Sequence, residues 1–238
     1  MLPMWHGSQD ILLRLASSVQ LGVRPIVKYT ALSLFAERFL PSLNNSKTRF
    51  SQENQTSNCL LQPLTQCNLQ LFVLVSIWIS SKIHDTTPLS VKSLKSLGDE
   101  VIREQHFTTR DFFEAVTTLF QVVDFEIGAS NVTYLFLEDF LIQFRELARV
   151  GELINLEACM DIMDLLYEIE ETSVLYSSPH SLAAAILVAS YVITVPKQQR
   201  EFPLLPWVKF VSSYKEEDIG ELVRGILYHV LKQTIKEA

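Results

Sequence analysis

Two stretches of the sequence decide its fold: Leu69–Ile79, LQLFVLVSIWI, and Leu182–Val195, LAAAILVASYVITV. Both are apolar on every side of a helix rather than along one stripe. Each is too short to cross a bilayer, which takes about 20 apolar residues, so neither predicts a membrane span. A helix that is apolar all round has to be enclosed by other helices. The two stretches therefore predict the central helices of two helical bundles in tandem.

The segments around these two stretches are amphipathic with helical spacing, which predicts the outer helices of each bundle. The chain has only seven glycines and nine prolines in 238 residues, too few for the frequent turns of a β-sandwich or barrel. We therefore predict an all-α fold of two five-helix bundles. The predicted core faces of the outer helices are Ile11–Val19, Ile26–Phe39, Phe112–Val123, Leu137–Leu147, Ile162–Ile169 and Ile219–Val230.

The boundary between the bundles is predicted within FEIGASN, residues 125–131. Gly128 and Asn131 are residue types that commonly stop and cap helices. This divides the chain into a first domain of residues 1–127 and a second of residues 128–238. The polar stretch Pro41–Asn58, rich in Asn and Ser, predicts a flexible loop within the first domain.

Charge and cysteine content exclude several classes of protein. The net charge is −7, and residues 129–238 hold 16 acidic against 9 basic side chains, whereas residues 1–128 hold 11 of each. Without a basic stripe the chain offers nucleic acid little to bind. Three widely spaced cysteines fit neither a disulfide framework nor a zinc site. The start, MLPMWHGSQD, lacks the pattern of a secretory signal, so we expect an intracellular protein of the nucleus, the cytoplasm or both.

No catalytic or cofactor motif is present in the sequence. The seven glycines are too scattered to form a phosphate-binding loop, and the five histidines are isolated from one another. There is no nucleophile elbow and no paired metal-binding histidines. We therefore expect no enzyme activity, no catalytic residue, no metal, no cofactor and no small-molecule ligand. An unrelated helical enzyme is the least favoured interpretation.

Several stretches resemble the cyclin box, and the resemblance covers nearly the whole chain. ERFL at Glu37–Leu40 is similar to the end of the second helix of a box, and Leu69–Lys82 resembles the third helix with its terminal lysine. VVDFEI at Val122–Ile127 resembles the end of the fifth helix. SPHSLAAA at Ser178–Ala185 is similar to the start of the central helix of a second box. The segment YTALSLFAERF, residues 29–39, is most similar to the plant J-type cyclins.

The resemblance implies a function in protein binding. Cyclins bind and activate cyclin-dependent Ser/Thr kinases and thereby regulate the cell cycle. Carried over by position, the residues implied to bind the kinase are Lys82, Ile83, Phe120, Phe125 and Ile127. Lys82 would donate hydrogen bonds to the partner, and the apolar side chains would supply buried area.

One departure from the family pattern bears on that function. Val116 stands where the family has a glutamate that partners the lysine, and Glu114 lies on a different helical face. The departure favours an alternative in which the protein is a cyclin-fold adaptor that activates no kinase. Copurifying kinase activity would discriminate between the two.

Overall fold

The computed structural model describes residues 23–43, 65–102, 105–127, 131–168 and 178–237. Every regular element within these ranges is helical, which confirms the predicted all-α class. The chain divides into two compact units, residues 1–129 and 130–238. Among the described helices, none has the length and apolarity that a bilayer span requires.

The first unit has four α-helices in its described part. They are α1 (Pro25–Leu32), α2 (Gln66–His84), α3 (Val91–Val101) and α4 (Thr109–Val122). The predicted helix over residues 11–19 lies outside the described residues.

A π-helical segment, Ser33–Phe39, continues α1 without a break. Its hydrogen bonds span five residues instead of the four of an α-helix: the Leu40 N–H donates to the carbonyl of Phe35. The Phe39 ring lies 4.6 Å from the ring of Phe72 on α2, measured between centroids. The segment therefore packs its aromatic side chains against the centre of the first unit.

Helix α2 is the centre of the first unit, as predicted. It packs against α1, α3 and α4. From Cys67 to Ser81 every residue except Gln70 is buried. Thr65 caps its start, where the hydroxyl oxygen accepts a hydrogen bond from the Asn68 N–H at 3.1 Å.

The second unit contains five α-helices in its described part. They are α5 (Thr133–Leu147), α6 (Leu156–Glu168), α7 (Pro179–Thr194), α8 (Leu204–Ser212) and α9 (Glu216–Glu237), with short 3-10 helices at Arg149–Leu153 and Lys197–Gln199. Helix α7 packs against each of the other four, which confirms it as the central helix. All its residues from Ser181 to Tyr191 are buried, whereas Ile193 in the last turn is 46% exposed.

The predicted loop over residues 41–58 begins later than the sequence indicates. Residues 41–43 are helical and extend the helix that begins at Pro25. Leu40 and Leu43 are buried, and their packing holds this extra turn in place. The prediction is therefore wrong for residues 41–43, and residues 44–58 lie outside the described part of the chain.

Candidate protein-docking groove

The last turn of α2 carries the chain from the core to the surface. Trp78 and Ile79 are buried, at 3% and 5% exposure, whereas Ile83 is 43% exposed and Lys82 is also exposed. These four residues lie at helical spacing of i, i+1, i+4 and i+5, so they share one side of the helix. An exposed cation and an exposed apolar side chain therefore stand directly above a buried tryptophan.

Contacts with the start of α1 fix this end of α2. The Arg24 guanidinium donates to the Asp85 carboxylate at 2.7 Å and to the backbone carbonyl of His84. The Thr30 hydroxyl lies 2.9 Å from Nε2 of His84. Partial burial lowers the pKa of His84 below its ordinary value, and the Arg24 charge lowers it further while Asp85 opposes the change. The helix end next to Lys82 and Ile83 is therefore held by several polar contacts.

Helix α4 forms the facing wall and has two apolar faces. Its start is fixed by a capping box, in which Thr108 and Asp111 bond each other's backbone N–H groups. The sequence predicts one core face over Phe112–Val123, and this is wrong for Phe113, which is 54% exposed. Side chains at neighbouring helix positions point about 100° apart, so one continuous apolar run covers two faces of the helix. Phe112, Ala115, Leu119 and Val122 are buried, while Phe113, Val116 and Phe120 line the groove.

A left-handed turn ends α4. Asp124 and Phe125 have φ angles of 52° and 61°. The Phe125 N–H donates to the Phe120 carbonyl at 2.8 Å and the Asp124 N–H to the Gln121 carbonyl at 3.3 Å, which is the Schellman pattern. The Phe120 and Phe125 rings, 6.1 Å apart, supply its usual apolar contact. The sequence assigns this stop to Gly128, which lies outside the described residues; aspartate, which tolerates the left-handed region, takes that role.

Helices α2 and α4 and the end of this turn enclose a groove of about 280 Å³. Of the described residues that line it, Lys82 alone is charged. The Lys82 ammonium lies 4.5 Å from the centroid of the Trp78 ring, and the Phe113 ring meets the same tryptophan edge-on at 5.5 Å. The lining residues are Trp78, Ile79, Lys82, Ile83, Phe113, Val116, Phe120 and Ile127.

Two curated plant proteins are similar to this chain over most of their length. Cyclin-J18 of Arabidopsis thaliana is 60% identical over 215 residues, which cover 90% of each chain. The chain belongs to the cyclin family. Cyclin-J18-like of Oryza sativa subsp. japonica is 51% identical over 220 residues, covering 92% of this chain and 84% of the rice protein. These relatives confirm the resemblance to the plant J-type cyclins, although no family model matches the sequence.

A solved cyclin structure has the same fold. The viral cyclin of herpesvirus saimiri matches with a TM-score of 0.63 over 94% of this chain and 85% of its own. The identity between the two is 16%, so the match bears on the fold alone. It agrees with an all-α architecture of cyclin-box bundles.

The structure brings together four of the five residues that the cyclin resemblance implied for kinase binding. Lys82, Ile83, Phe120 and Ile127 line the groove. Phe125 does not line it; its ring is 69% exposed and lies beside Phe120 at the groove's edge. That these residues bind a partner stays a prediction.

Four residues of this cyclin's groove were not singled out from the sequence as binding residues. They are Trp78, Ile79, Phe113 and Val116. A signal for them is present in the spacing: residues 79, 82 and 83 share one helix side, as do residues 113, 116 and 120. The second set was assigned to the core, because periodicity identifies a shared face without telling whether another element covers it.

The described lining of the groove is apolar except for one ammonium. Its lining holds one ammonium and seven apolar side chains, with neither a carboxylate nor a nucleophile among them. Elsewhere in the described ranges, no three His, Cys, Asp or Glu side chains are placed to hold a metal ion. An exposed groove of apolar side chains around one ammonium fits the apolar side chains and a hydrogen-bond acceptor of another protein.

Proposed function

We propose that this cyclin is a regulatory subunit that binds a cyclin-dependent Ser/Thr protein kinase through the groove between α2 and α4, activates it, and so regulates cell division. The observation that carries the proposal is the groove itself. Lys82 stands in it beside partly exposed apolar side chains that nothing in the described chain covers. The family membership supports a regulator, since the curated relatives are named as cyclins.

Activation requires a difference in affinity and no chemistry by the cyclin. The groove would hold the mobile helix of the kinase in its active position, where the catalytic lysine–glutamate pair can form. A regulator shifts this equilibrium only by binding the active arrangement more tightly, and each 1.4 kcal/mol or so of difference changes the ratio tenfold. The protein would act wherever its kinase is found, in the nucleus, the cytoplasm or both.

The test is a titration of Lys82→Ala against a panel of purified plant cyclin-dependent kinases. Loss of charge-assisted hydrogen bonds at a buried contact should weaken binding by about 2 kcal/mol or more, roughly 30-fold. Lys82 is exposed, so the thermal melt should barely change. Lys92→Ala is the matched control, because Lys92 is also an exposed helical lysine but lies on α3 and does not line the groove.

Kinase activity in the same mixtures separates activation from binding alone. Wild-type protein should raise the activity of the kinase that it binds, and Lys82→Ala should need a correspondingly higher concentration to do so. Binding without any rise in activity would identify a cyclin-fold adaptor, the alternative favoured by Val116 in place of the family glutamate. Equal affinities of wild type and Lys82→Ala would remove the groove as the docking site.

A further inference from the structure

The described lining of the groove holds one positive charge and no negative charge. Among the described residues no carboxylate lies within ion-pair distance of the Lys82 ammonium, which contacts the face of the Trp78 ring at 4.5 Å. The nearby Asp85 carboxylate is already bonded to Arg24 at 2.7 Å. On the facing wall, the groove-lining position of α4 between Phe113 and Phe120 is the apolar Val116. Within the described residues, no acceptor therefore takes the three N–H donors of Lys82.

A partner that covers the groove removes water from this ammonium. Seven of the eight lining side chains are apolar, so the covered site has a low effective dielectric. A charge buried there without a counter-charge is strongly unfavourable, and the contact with the Trp78 ring offsets only part of that loss. Neutral carbonyls would satisfy the hydrogen bonds of the ammonium but not its charge. A carboxylate satisfies both.

We infer that the segment received by the groove carries an aspartate or glutamate that pairs with Lys82, next to apolar side chains that contact Phe113, Val116 and Phe120. The inference rests on the proposed function and specifies its partner: the cyclin selects kinases whose docking segment is acidic at this point. Trp78 positions the ammonium through the ring contact. Val116 determines specificity, because its apolar side chain leaves Lys82 to the carboxylate of the partner.

Two substitutions at one position separate charge from size. Val116→Glu places a carboxylate in the groove, where it pairs with Lys82 and repels an acidic partner, whereas Val116→Gln has nearly the same shape without the charge. Against the kinase that the wild type binds, Val116→Glu should bind at least tenfold more weakly than Val116→Gln. Affinities of the two variants that are equal, or higher for Val116→Glu, would overturn the inference. Thermal melts of both establish that each is folded.

A charge exchange tests the same pair from the partner's side and remains decisive if the Val116 variants fail to fold. Lys82→Glu should lose binding to the wild-type kinase. One kinase variant with an acidic residue of its docking segment changed to lysine should restore binding to Lys82→Glu by tenfold or more. If no such variant restores it, the partner supplies neutral acceptors and the inference is wrong. This outcome differs from failure of the proposed function, in which Lys82→Ala binds as well as the wild type.

Discussion

The contact between Trp78 and Phe113 can be measured by a double-mutant cycle. Trp78 is 3% exposed, so Trp78→Ala should leave a cavity in the first unit and cost about 3–5 kcal/mol in free energy of unfolding. Phe113 is 54% exposed, so truncation forfeits roughly half of the 1.5–3 kcal/mol or so that full burial of such a side chain contributes. The edge-to-face contact at 5.5 Å adds about 0.5–1.5 kcal/mol. Phe113→Ala should therefore cost about 1–3 kcal/mol.

The cycle requires urea unfolding of the wild type, Trp78→Ala, Phe113→Ala and the double mutant. Far-ultraviolet circular dichroism should report the transition, because one substitution removes a fluorescent side chain. The double mutant should lose about 0.5–1.5 kcal/mol less than the sum of the two single effects, because each single substitution already removes the ring contact. If Phe113→Ala costs as much as Trp78→Ala, Phe113 belongs to the core, as the sequence periodicity predicts, and the open groove is refuted.

Three further predictions concern stability. Gly151→Ala should destabilise the protein by about 1–3 kcal/mol, because the added Cβ would lie 2.9 Å from the backbone of α5. Gly225→Ala, whose added Cβ meets nothing within 4 Å, should stabilise it by about 1 kcal/mol. Changes in melting temperature with the same sign for both variants would contradict the packing. Asp124→Gly should raise the melting temperature, because glycine relieves the left-handed strain, and Asp124→Ala should lower it. Burial against three aromatic rings lowers the pKa of His180 below 6.5, so its contribution to stability is complete above about pH 6.5 and is lost as the pH falls toward the folded-state pKa. His180→Phe should therefore reduce the dependence of the melting temperature on pH between pH 7 and pH 5 or so. An unchanged slope would show that another group titrates.

The central helices were predictable because helices with apolar side chains on every side are stable only when other helices surround them. A run such as Leu182–Tyr191 cannot face water on any side, so the pattern alone determines that other helices surround it. The same argument locates α2 between α1, α3 and α4. Helix caps that use a local side chain, such as Thr108 with Asp111, also follow from short-range spacing.

The groove was only partly predictable, for a physical reason. Whether an apolar face is covered depends on elements distant in sequence, and the spacing of Phe113 and Val116 is the same for a core face and for an open one. Lys82 and Ile127, which line the groove, were named from the cyclin resemblance rather than from the spacing. The position of the turn after α4 was missed because Asp124 adopts a conformation for which glycine is the usual signal.

The π-helical segment holds one more residue than an ordinary α-helical turn would over the same rise. Removing one residue from Ser33–Phe39 would close the wider turn into an α-helical one and leave the residues after it nearly in phase. Leu43 would then keep its place in the core. A one-codon deletion within this segment should therefore be tolerated, whereas the same deletion within α2, which is α-helical throughout, would rotate every residue that follows by about 100°.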